Sequence, residues 1–183
     1  MSKLREMREK ILSKKDNKGF TLVELIVVIV ILAILVGVTI GGVYGYVNKS
    51  RVNTDINNAS AITSTLSTMT TIKDFSGSTF KPASGSTTKT ATITWGETAV
   101  TKAQLETETG DSTKGITFTA VQNVKDHSIG KKIAELLPDG LPAAKTAGAT
   151  FELKMTWDDK GNFQSVKCTA LDSDGSTPLE AQE

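Results

Sequence analysis

The residues of this chain that could do chemistry are few and far apart. His127 is the single histidine and Cys168 the single cysteine. A transition-metal site therefore lacks a second soft ligand, and no disulfide can close within the chain. With no second histidine and no cysteine nearby, His127 reads as a polar residue ahead of a short helix. Cys168 falls in an alternating run and reads as a buried strand residue. Asp172-Ser173-Asp174-Gly175 has carboxylates at a calcium-loop spacing, but its glycine comes two positions early for an EF-hand and the ligand set is incomplete, so it reads as a surface turn. Asn48-Lys49-Ser50 and Asn58-Ala59-Ser60 fit the glycosylation sequon, a pattern short enough to arise by chance. Trp95 and Trp157 lie on apolar strand faces and read as core. One acid stands out by position: Glu24 heads a long apolar run. A carboxylate in hydrocarbon is costly and implies a partner, unless it only complements the positive end of its own helix.

The elements that carry these residues divide the chain into four stretches. Residues 1–19 form a basic leader, with Lys3, Arg5, Arg8, Lys10, Lys14, Lys15 and Lys18 against Glu6, Glu9 and Asp16. It reads as a solvated tail, with an amphipathic surface helix through Leu4, Met7 and Ile11 as the alternative. Residues 20–47 are the hydrophobic stretch. Its 23 residues from Leu25 to Val47 carry no charge, and at about 1.5 Å each they reach roughly 34 Å, enough to cross a bilayer. The leader's basic residues put the N-terminus in the cytoplasm. The run is too long for a secretory signal and no small-x-small cleavage site follows it. Residues 48–72 continue as an amphipathic helix whose stripe is Val52, Ile56, Ala59, Ile62 or Thr63, Leu66 and Met69. No proline occurs before Pro82, so one helix is expected to run through both parts.

Residues 73–183 are expected to be a Thr-rich antiparallel β domain. The Ser/Thr/Gly-rich segment from Phe75 to Thr90 reads as a loop. Alternation marks strands through Ala91, Ile93 and Trp95, through Ile116, Phe118 and Ala120, and through Phe151, Leu153, Met155 and Trp157. The turn Asp158-Asp159-Lys160-Gly161-Asn162 should join the last of these to a return strand through Phe163, Val166, Cys168 and Ala170. Short helices are expected at Lys102–Glu108 and Ser128–Leu137, the latter stopped by Pro138. The fold class is α+β, a long N-terminal helix packed on a small antiparallel sheet. With 21 Lys+Arg against 20 Asp+Glu in 183 residues, the net charge of +1 does not suit a polyanion binder, and no direct nucleic-acid site is identified.

Where the leader meets the apolar run stands Lys18-Gly19-Phe20-Thr21-Leu22-Val23-Glu24-Leu25. This junction closely resembles the class III signal of type IV pilins and their pseudopilin relatives. The resemblance implies cleavage by a prepilin peptidase between Gly19 and Phe20, N-methylation of Phe20, and a mature chain that keeps its apolar helix. It implies that Glu24 serves filament assembly by meeting a neighbour's N-terminal amine. It further implies a membrane-anchored precursor that becomes an extracellular filament, with itself as principal partner in a helical homopolymer and an assembly ATPase and platform protein as machinery. No cofactor or metal and no enzymatic activity are expected. Ala33, Gly37, Gly41 and Gly45 form a small-residue seam suited to close helix packing, and Gly41-Gly42 is a place for the helix to bend or melt; ordinary membrane-helix glycines are the alternative. The family often has a proline near that point, and this sequence does not. The lone Cys168 departs from relatives with a C-terminal disulfide and suggests a lineage without that staple, as in many Gram-positive systems. Two further readings stand beside the pilin: a pseudopilin of a type II secretion or competence system, and a monomeric, single-pass anchored binding protein.

Overall fold

A computed structural model of the chain describes residues 7, 19–68, 79–80, 89–119, 124–125, 129–160 and 162–182. The chain falls into two compact units, Met1–Gly45 and Tyr46–Glu183. One helix, α1 (Leu22–Ser67, 46 residues), contributes its first part to one unit and its second part to the other.

In the first unit the helix is apolar on every side, and every side chain described from Leu22 to Gly45 is exposed. Its most apolar window has a mean hydropathy of 3.1 and none of it is buried. Apolar surface in water costs about 25 cal/mol per Å², so a helix with no dry side of its own requires a lipid or protein cover. By length and composition it can cross a membrane. The hydroxyl of Thr39 donates to the Leu35 carbonyl at 2.9 Å, so this internal polar group is satisfied within the helix.

In the second unit the same helix becomes one-sided. Val52, Asp55, Ala59, Ile62 and Leu66 are buried, at steps of three and four. Most of the expected stripe is there, but Ile56 and Thr63 are only half-buried, and Met69 lies outside the described residues. The departure is Asp55, which takes a core-facing position with no exposed surface. Its carboxylate accepts the Lys145 N–H at 2.8 Å and the Thr146 N–H at 2.8 Å. A buried carboxylate persists only when its oxygens are matched in this way.

The helix stripe shares a core with a four-stranded antiparallel sheet. Its strands are β2 (Thr90–Trp95), β3 (Thr117–Thr119), β5 (Thr150–Trp157) and β6 (Phe163–Leu171), in the order β3-β2-β5-β6. Registers Trp95↔Phe151, Ile93↔Leu153 and Leu153↔Cys168 line the inward side chains up in cross-strand rows. The Trp95 and Phe151 rings stack with centroids 5.1 Å apart. The α+β expectation holds, and so does the hairpin: the Asp158 N–H donates to the Asn162 carbonyl at 2.9 Å between β5 and β6. Threonines point outward from β2 because alternation puts Ala91, Ile93 and Trp95 inside.

Other details differ from expectation. The segment read as a loop holds a two-residue strand, β1 (Thr79–Phe80), which pairs with β4 (Val124–Lys125) in a separate sheet. Backbone pairing of two residues leaves too short a pattern to read from side chains. The two helices are α2 (Lys102–Thr107) and α3 (Ile129–Leu136). They pack so closely that a Cβ at Gly130 would lie 1.8 Å from the Leu105 carbonyl oxygen, so only glycine fits. The third strand runs from Thr117 with Ile116 bridged to Asp111, and the expected Ala120 lies outside the described residues.

Candidate functional site

The site suggested by the sequence begins where the helix begins. Gly19, Phe20 and Thr21 are non-helical and α1 starts at Leu22. Phe20 is 86% exposed, and nothing lies within 4 Å of a Cβ built on Gly19. Among the described residues nothing obstructs the Gly19–Phe20 peptide bond. The leader before Gly19, apart from Met7, lies outside the described residues.

Three hydrogen bonds fix the start of the helix. The Glu24 N–H donates to the Thr21 hydroxyl oxygen at 3.2 Å. In return the Glu24 carboxylate accepts the Thr21 N–H at 2.8 Å and the Thr21 hydroxyl at 2.9 Å. With the Leu25 N–H on the Thr21 carbonyl at 3.2 Å as the first helical bond, Thr21 is the N-cap and Glu24 the third helical residue of a capping box. Reading Glu24 only through its charge overlooked this, although Thr-x-x-Glu ahead of an apolar run is the signal for it.

Among the described residues, Ala33, Gly37, Gly42 and Gly45 of the apolar stretch are not brought together with another part of the chain. Ala33 is exposed, and a Cβ at Gly37, Gly42 or Gly45 would meet no atom within 4 Å. The helix runs through Gly41 and Gly42 without interruption. A seam that meets nothing among the described residues is available to another surface.

The residues set aside for other chemistry fall as follows. Burial pushes the Cys168 thiol up to about 12, which removes the thiolate needed for reactivity. Its backbone N–H donates to the Thr63 hydroxyl at 2.8 Å, covering part of the outer edge of β6. The Asp174 carboxylate accepts the Thr177 hydroxyl and the backbone N–H groups of Thr177 and Ser176, which hold its pKa well below the usual carboxylate range. The Asp172–Gly175 segment is therefore a turn closed on its own backbone, and no group of metal-ligating side chains occurs among the described residues. Trp95 and Trp157 are core residues, Asn48 and Asn58 lie on α1, and His127 lies outside the described residues.

The family model of the prokaryotic N-terminal methylation motif matches residues 14–40. That motif is the class III signal of type IV pilins, and the match spans Lys14, Lys15 and Lys18, the Gly19-Phe20 junction, the cap and most of the apolar stretch. It implies processing by a prepilin peptidase. No curated protein and no solved structure matches the chain.

Proposed function

We propose that this chain is the precursor of a type IV pilus subunit: a structural protein, cut between Gly19 and Phe20, N-methylated on Phe20 and polymerised through its N-terminal helix into an extracellular filament. The observation that carries the reading is the methylation motif running into an apolar stretch of helix whose side chains, among the described residues, are all exposed. A secretory signal is discarded with its apolar segment; cleavage on the basic side of the segment leaves it attached to the product. Such a helix can dwell in lipid and later exchange lipid for the helices of neighbouring subunits, since both cover the same apolar surface.

Glu24 is proposed as the assembly residue. It already has a partner within its chain, but the two Thr21 donors leave lone pairs on its carboxylate for a cationic amine. Ala33, Gly37, Gly41 and Gly45 are proposed as the close-approach side of the packed helix, with Gly41-Gly42 as the point of bending. Co-expression with a prepilin peptidase tests the central claim. Intact-mass analysis should show loss of the first 19 of 183 residues and a methylated N-terminal Phe20. A product that still begins at Met1 would end the proposal.

A further inference from the structure

Beyond its apolar run, the helix meets polar surroundings abruptly. Tyr44 and Tyr46 are 79% and 75% exposed, and Asn48, Lys49, Ser50 and Arg51 follow within about one helical turn of Val47. Phenols followed by basic side chains settle at headgroup level, with ring and stem in the apolar boundary and the polar tip in the wet layer. Here the protein surface is also concave. A groove of about 470 Å³ is lined by Tyr46, Lys49, Ser50, Asn53, Asn57 and Gln182, among others.

The helical members of that lining recur at steps of three and four and so share one face of α1. Its other wall is tied in place: the Gln182 N–H donates to Asn53 Oδ1 at 3.0 Å, and Asn53 Nδ2 donates to the Gln182 carbonyl at 3.0 Å. Among the described residues the lining holds an ammonium, a phenol, hydroxyls and carboxamides. These groups suit a phosphate with polar substituents, and the volume is in the range of small-molecule sites.

We propose that this groove holds the headgroup of an anionic phospholipid of the outer leaflet while the apolar half of α1 spans the membrane. The inference rests on the reading of the chain as a membrane-anchored precursor. Chain connectivity alone puts the groove at the lipid–water boundary, because Tyr46 lies at the end of the uncharged run and Lys49 is the first charged residue after it. The headgroup fixes the depth at which the helix waits, and departure from the membrane requires its release.

The test uses the full chain in phosphatidylcholine vesicles with and without phosphatidylglycerol, and counts labelled phosphatidylglycerol retained after mild detergent extraction. Retention of about one lipid per chain is expected for the natural protein, falling about fivefold in Lys49→Gln, the weight of one basic residue at an anionic surface. Asn53→Ala, which frees the Gln182 wall, should also lower it. Lys167→Gln, on the exposed side of β6, should leave retention unchanged. Equal loss in Lys49→Gln and Lys167→Gln would reduce the effect to bulk charge and overturn the groove. So would displacement of the label by soluble glycerol phosphate as readily as by phosphatidylglycerol vesicles. A chain that inserts but retains no phosphatidylglycerol overturns this proposal alone; a chain that enters neither kind of vesicle overturns the anchored reading beneath it.

Discussion

The two halves of α1 differ in how far their polar groups reach. From Leu22 to Gly45 the bonds are local: Glu24 bonds Thr21, three positions back, and Thr39 bonds Leu35, four positions back. From Tyr46 to Ser67 hydroxyls still bond locally, Thr54 to Ser50 and Ser67 to Ser64, but distant bonds are added: Asn53 reaches Gln182, Asp55 reaches Lys145 and Thr146, and Thr63 reaches Cys168. The second half is thereby committed to one domain and one register on it, since a polar group gripped by a unique backbone site cannot slide to the next turn without being orphaned. Among the described residues the first half is committed to nothing beyond its own helix. Its apolar surface can accept lipid or other helices in turn.

The strongest way to break this contrast is to separate the halves. A chain beginning at Tyr46 should be a folded monomer in water, with a cooperative thermal transition by circular dichroism, while the full chain should require detergent or vesicles. The core of the second unit is built from α1 residues after Gly45, the sheet, α2 and α3 with their connections, and its sole cysteine is unpaired. A disordered fragment would show that the first half contributes to the fold after all.

Next in size is the effect on assembly. Glu24→Gln keeps an acceptor for Thr21 and removes the charge; Glu24→Val removes both. If the charge meets a neighbour's amine, both variants should be cleaved normally and both should lose filaments, at least tenfold by electron microscopy. Normal filaments in Glu24→Gln would reduce Glu24 to a capping residue.

Within the domain, Asp55→Ala should be the costliest change to the helix stripe. It orphans two backbone N–H groups in a closed setting, a loss of about 2–4 kcal/mol. Thr63→Val should cost about 1 kcal/mol, because it leaves one N–H of an edge strand uncovered. Both follow from denaturant titration of the Tyr46 fragment, and equal losses would mean that burial does not rank these contacts.

These residues also mark where sequence reading stops. The uncharged run was legible because composition alone decides it, and the hairpin because its turn chemistry sits between two alternating strands. Asp55 was not, since its role depends on amide groups 90 and 91 positions away in a loop with no pattern of its own. The strand at Thr79–Phe80 was hidden for the same reason: its partner is Val124–Lys125. The cap at Thr21 was legible in principle, but the Glu24 charge drew the reading to a partner outside the chain.

The smallest effect serves as the control for the assembly argument. The chain builds the same cap a second time, at Thr101–Gln104 ahead of α2. There the Thr101 N–H and hydroxyl meet the Gln104 side-chain oxygen at 3.0 and 2.9 Å, against 2.8 and 2.9 Å for Thr21 and Glu24. The return bond from residue 104 to the threonine hydroxyl is 3.3 Å, against 3.2 Å from residue 24. A neutral amide therefore completes this cap with the same geometry as a carboxylate. In an apolar helix glutamine would be the cheaper choice, so a charge retained at Glu24 is surplus to the cap and available for an amine. If the two side chains are interchangeable as caps, Gln104→Glu should change the stability of the Tyr46 fragment by no more than about 0.5 kcal/mol at neutral pH, with any change favourable to the helix N-terminus. A loss above about 1 kcal/mol would show that the cap itself discriminates between amide and carboxylate. Filament loss in Glu24→Gln could then arise from a broken helix start, and the charge would no longer be isolated as its cause.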